Sequence, residues 1–167
     1  MRGAVTGPPF FAAFAALLVT LLMSTPARAD RSTIKSDTDH PAYVFEAEPH
    51  LVVAPFHGGG VGAGFQGTFN VADRGFIPRV NDGVGVGFGV NFATNERLLL
   101  SAAMQWNFWL SENWSVFGEP GLGVRTHKKV EVWPHLGAGG RFHFDRNVTL
   151  TMRVGFPVFA VGVSFLL

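Results

Sequence analysis

Four acids, Glu46, Glu48, Glu119 and Glu131, and four bases, Arg125, Lys129, Arg141 and Arg153, lie on one face of a sequence that alternates between small or polar residues and bulky apolar ones. His50, His135 and His143 fall on the same face. The signs balance. Charges that face one another away from water must pair or lose a large solvation energy, so a set of ion pairs is the first chemistry to expect. If pairs exchanged partners, Glu46, Glu48, Glu119, Glu131, Arg125, Arg141, Arg153 and His135 could gate a narrow polar path.

Other chemistries fit less well. His135 and His143 are ~26 Å apart along one extended run, and His50 is on a distant one, so no metal site is expected. Gly62-Ala63-Gly64-Phe65-Gln66-Gly67 has the letters of a dinucleotide fingerprint, but that motif needs a helix opening through it. Here the alternation runs on through Thr68-Phe69-Asn70-Val71, so no cofactor is expected. The chain has no cysteine, which excludes a lipid-anchored lipoprotein, a disulfide framework and a thiolate metal site. A formal net charge of +1 without a basic block argues against nucleic acid as a partner.

The elements that would position these side chains are period-two runs, which read as strands. There are eight: residues 43–54, 60–72, 82–92, 97–109, 114–125, 129–144, 147–156 and 158–167. The third shows the pattern plainly, with Val84, Val86, Phe88, Val90 and Phe92 against Gly83, Gly85, Gly87, Gly89 and Asn91. The connections are short and polar, the longest being Ala72–Asn81, so consecutive strands should pair antiparallel in an up-and-down meander. Tight-turn registers would place Gln105, Glu119 and His135 in one row across three neighbouring strands. Pro49, Pro120 and Pro134 each remove a ladder donor and are expected to mark bulges.

An eight-stranded barrel has a lumen just wide enough for side chains to fill. The Phe, Trp, Leu and Val of the bulky face would overfill it, whereas the glycine-rich face leaves room for a few long polar chains. The bulky face must then point outward, to lipid, and its strands have the ~9–11 residues needed to cross. Tyr43, Phe45, Phe108, Trp114, Phe142 and Phe144 are expected to form an aromatic belt at one end, with Phe56, Phe92, Phe156 and Phe159 near the other.

The chain opens with Arg2, an apolar run from about Pro9 to Met23, and Ala27-Arg28-Ala29 before Asp30, which reads as a cleaved signal over residues 1–29. Residues 30–42 read as a flexible periplasmic leader and 43–167 as the barrel. An even strand count places both termini on one side, the periplasmic.

The signal, the eight alternating strands and the ending Gly162-Val163-x-Phe165-x-Leu167 resemble small outer-membrane barrels of the OmpA/OmpX-like superfamily. Asn107–Gly121 (NFWLSENWSVFGEPG) also resembles uncharacterised outer-membrane barrels of δ-proteobacterial type. The resemblance implies an outer-membrane location, lipid as the surrounding partner, and engagement of the barrel-assembly machinery by Gly162–Leu167. Some barrels of this kind are lipid deacylases carrying a His-x-Ser pair, which this chain lacks; Ser101, Ser115 and Ser164 have no histidine beside them in sequence. The expectation is a monomeric, non-catalytic barrel with a structural or surface role and a largely plugged lumen. The alternatives are a narrow passive pore, a lipid-acting enzyme and a soluble periplasmic barrel.

Overall fold

A computed structural model describes residues 40–55, 60–77, 80–94, 97–126 and 130–167. The expected signal segment, residues 30–39 of the leader, Phe56, the His57-Gly58-Gly59 turn and Lys129 lie outside the described residues.

The strands are β1 (Phe45–Val53), β2 (Val61–Ala72), β3 (Asp82–Ala93), β4 (Arg97–Trp109), β5 (Trp114–Thr126), β6 (Val130–His143), β7 (Val148–Phe156) and β8 (Phe159–Leu166). Each pairs antiparallel with its neighbours in sequence, and β1 pairs with β8, closing an up-and-down barrel. The expected fold class is borne out, and the observed strands begin and end within two residues of the expected ones. Alternation was a sufficient guide because each strand separates two environments of opposite polarity.

The separation is inside-out. Leu51, Phe88, Leu122, Val132 and Val154 point outward and are 46–71% exposed, while Glu46, Glu48, Glu119 and Arg141 point inward and are at most 1% exposed. Tyr43 departs from expectation. The chain bends at Val44, which is exposed, and this turns Tyr43 inward, away from the outer belt. Burial, followed by the nearby Glu46 carboxylate, pushes the Tyr43 hydroxyl well above its ordinary range.

The prolines are not at bulges. The described register shift lies between Asn70 and Ala72 on β2. Each proline instead sits where one of its two ladders is interrupted. The β1–β8 pairing skips from Ala47↔Phe165 to His50↔Gly162 at Pro49. The β4–β5 pairing skips from Ala103↔Gly121 to Trp106↔Gly118 at Pro120. The β6–β7 pairing begins at Leu136, past Pro134. A missing N–H leaves no broken bond where no partner carbonyl is offered.

Candidate functional site

The end at which β1 starts and β8 finishes is termed proximal, the other distal. Strand parity sends the even residues of β1 and the odd residues of β4, β5, β6 and β7 into the lumen, where they meet from opposite walls. Two ion-pair systems result. The Arg141 guanidinium donates from Nε and Nη2 to the two carboxylate oxygens of Glu46, at 3.0 and 2.7 Å, and from Nη1 to Asn107 Oδ1 at 2.6 Å. Arg153 Nη2 donates to Glu48 Oε2 at 2.9 Å, and Arg153 Nε lies 2.9 Å from Glu119 Oε2. One arginine thus bridges two acids from different strands.

The network extends outward from these. Glu119 Oε1 accepts from Gln105 Nε2 at 2.9 Å, and Glu48 Oε2 also accepts from the Ser164 hydroxyl at 3.2 Å. His50 Nδ1 is 3.2 Å from Glu48 Oε1, and His50 Nε2 is 2.6 Å from Asn91 Oδ1. The Nδ1–Oε1 and Arg153–Glu119 contacts lack hydrogen-bond alignment. Phe117 stands between the arginines, its centroid 4.2 Å from the Arg141 guanidinium carbon and 5.1 Å from that of Arg153. Two cations of like sign are thereby both held close to one aromatic ring.

Six of the eight expected charge-set residues, Glu46, Glu48, Glu119, Arg141, Arg153 and His135, are buried in this interior. Arg125 and Glu131 are not part of it. They face each other across β5–β6 at the distal rim and pair there, with 54% of the Glu131 side chain exposed. Such a pair contributes ~0.2–1 kcal/mol. The row expected to join Gln105, Glu119 and His135 is also corrected. Gln105 does meet Glu119, but β5–β6 sets Gly137 opposite Glu119 and His135 opposite Gly121, two residues out of step. Asn91, Asn107, Gln105, Phe117 and Ser164 complete the network; their inward parity was the available signal.

Apolar clusters lie on both sides of the charges. Tyr43, Trp109 and Leu166 cluster at the proximal end, and Ala54, Ala93, Leu99 and Val158, with Trp133 packed on them, at the distal end. His40, near the end of the leader, packs against the proximal cluster. His40 stacks on Trp109 at 5.2 Å with a 10° interplanar angle and bonds Asn81 Oδ1 at 2.7 Å.

A serine–histidine contact also forms, which sequence proximity does not reveal. The Ser115 hydroxyl and His143 Nε2 are 2.9 Å apart across β5–β6. The pair has the reach of a nucleophile and its base. However, Ser115 has no exposed surface, and among the described residues His143 Nδ1 has no hydrogen-bond partner to orient the ring. His143 borders an open groove of about 740 Å³ at the proximal end, lined also by His40, Glu112, Asp145 and Arg146. The groove reaches the histidine and not the serine.

The chain matches no protein-family model and no curated protein. Among solved structures, it is similar to a de novo designed transmembrane β-barrel, at 15% identity, over 73% of this chain and 95% of that one, with a TM-score of 0.52. It is also similar to the outer membrane protein Ail of Yersinia pestis in a phospholipid bilayer nanodisc, at 12% identity, over 75% of this chain and all of that one, with a TM-score of 0.51. What is shared at these identities is the fold, that of the small transmembrane barrels.

Proposed function

We propose that this chain is a monomeric outer-membrane β-barrel with a structural or surface role, a closed lumen and no catalytic activity. The observation that carries the reading is the inversion of polarity, with carboxylates and guanidiniums sealed inside and apolar side chains exposed around the wall. In water that belt would exceed the few hundred Å² of apolar patch a monomeric soluble protein tolerates. In a bilayer it is the required solvent-facing surface, and closure leaves no unpaired strand edge. The signal-like start and the transmembrane character of the two similar barrels support the location. The periplasmic placement of the termini and engagement of the assembly machinery by β8 belong to the same proposal.

Closure of the lumen is supported by its three successive fillings: the proximal aromatic cluster, the central ion pairs and the distal apolar cluster. The absence of catalysis is supported by how the reactive groups are used. Ser164 bonds Glu48, and Ser115 is sealed from solvent.

A narrow passive pore is the second reading. Trp133 Nε1 and His135 Nδ1, in the distal half, are buried without a hydrogen-bond partner among the described residues, and such groups mark places where water can enter. Single-channel recording of residues 30–167, refolded in planar bilayers, separates the readings. A silent bilayer, with folding confirmed by heat-modifiable gel mobility, is expected. Reproducible small steps that change in Glu119→Ala and Arg153→Ala would replace the closed barrel with a pore gated by its lumen charges.

A further inference from the structure

Asp82 breaks the pattern of the outer wall. It has the parity of Val86 and Phe88, which face outward, yet it is a carboxylate and only 1% exposed. The cover comes from the β2–β3 loop, which folds back against the barrel at the proximal end. Gly75 N donates to the Asp82 carbonyl at 2.8 Å, and Ile77 N to Asp82 Oδ2 at 3.4 Å. The indole Nε1 of Trp106, on the neighbouring strand, donates to the same oxygen at 2.8 Å. Gly75 lies so close to the carboxylate that a Cβ there would overlap it, so the approach needs glycine.

Phe76 meets Trp106 edge-on at 5.8 Å, and Trp106 packs on Phe108 at 4.9 Å, so Phe76 continues the aromatic ring of the wall. Phe76 is nevertheless 65% exposed and Ile77 41%. A loop tied down at its backbone, with two large apolar side chains held outward beside an aromatic belt, has the form of an interfacial anchor.

We propose that this loop is a membrane foot. Asp82 latches it to the wall, and Phe76 and Ile77 seat in the headgroup layer of the proximal leaflet and fix the depth of the barrel. The occupant is lipid because the patch is continuous with the lipid-facing belt. The inference rests on that reading of the wall, and the experiment separates the two.

The chain has no cysteine, so one can be placed at will. The full chain carrying Ile77→Cys, labelled with an environment-sensitive fluorophore, is refolded into phosphatidylcholine–phosphatidylglycerol vesicles. Labels at Val86→Cys on the wall and Glu112→Cys in a proximal turn serve as references. Quenching is read from nitroxides on lipid headgroups, from nitroxides on acyl chains, and from iodide in water. The label at 77 is expected to be quenched most from the headgroup and to resist iodide, unlike the label at 112. Adding Phe76→Ser or Asp82→Ala should raise iodide quenching at 77 and leave heat-modifiable folding intact. If 77 matches 112 while 86 is quenched by acyl chains, the foot is overturned and the membrane barrel stands. If 86 is also quenched by iodide, both fall. If Asp82→Ala changes nothing at 77, the latch is overturned.

Discussion

Replacing Arg141 with methionine should be among the most damaging single changes in this barrel. Arg141 is 1% exposed and Glu46 wholly buried, and the side-chain hydrogen bonds described for Glu46 all come from Arg141. Methionine keeps much of the volume and the contact with Phe117 but strands the carboxylate. Breaking one side of a buried pair costs ~3–5 kcal/mol, because the remaining charge has lost both water and its counterion. With a urea dependence of ~1–3 kcal/mol per molar, the unfolding midpoint of the refolded barrel should fall by roughly 1–5 M. Adding Glu46→Gln removes the stranded charge, so the double variant should recover to within ~1–2 kcal/mol of the parent, a strongly non-additive cycle. Tryptophan emission and heat-modifiable mobility, followed through the same urea series, provide the measurement. A single variant within ~1 kcal/mol of the parent would refute the reasoning. So would two effects that simply add, since the carboxylate would then be reaching water despite its complete burial.

Adjacent glycines on β6 should respond in opposite ways. Gly139 faces inward, where a Cβ would collide with Phe117 and the Met152 carbonyl, whereas at Gly140, facing outward, the nearest atom is 3.9 Å away. Gly139→Ala should therefore reduce refolding yield on a gel and Gly140→Ala should not. His40→Ala should remove the stack on Trp109 and the bond to Asn81, costing ~1 kcal/mol in urea unfolding. In a chain whose other tryptophans are replaced by phenylalanine, it should make Trp109 more accessible to acrylamide; unchanged quenching would mean the stack is not held in solution.

Strand positions and polarity were legible because one two-residue period carried both. Partners were less so. The Glu46–Arg141 contact joins strands five apart in sequence order, and only closure and register bring them together. Register failed by two residues at β5–β6, where the polar composition of a short turn does not fix how the strands align. The proximal cluster was half legible. Trp109 shares the inward parity of Leu99 and Asn107, but Tyr43 carries outward parity and is turned in by a bend that alternation does not encode. The latch at Asp82 was hidden because a loop that folds back onto the wall leaves no periodic trace.

The seam between β1 and β8 sets the order of events in folding. Phe45 N and Val44 N both donate to the Leu167 carbonyl, and Leu167 N to that of Phe45. Every other ladder can grow as a local hairpin, but this one joins residues ~120 apart, and closing so long a loop costs ~3 kcal/mol more entropy than a four-residue turn. Glu46 and Glu48 travel on β1, while Arg141, Arg153 and Ser164 wait on β6, β7 and β8. Until the seam forms, an open sheet of eight strands carries these groups in solvent and has two free edges. The Glu46–Arg141 and Glu48–Arg153 pairs therefore cannot guide the chain into shape. They form after closure and act on the reverse rate, as a lock that slows reopening.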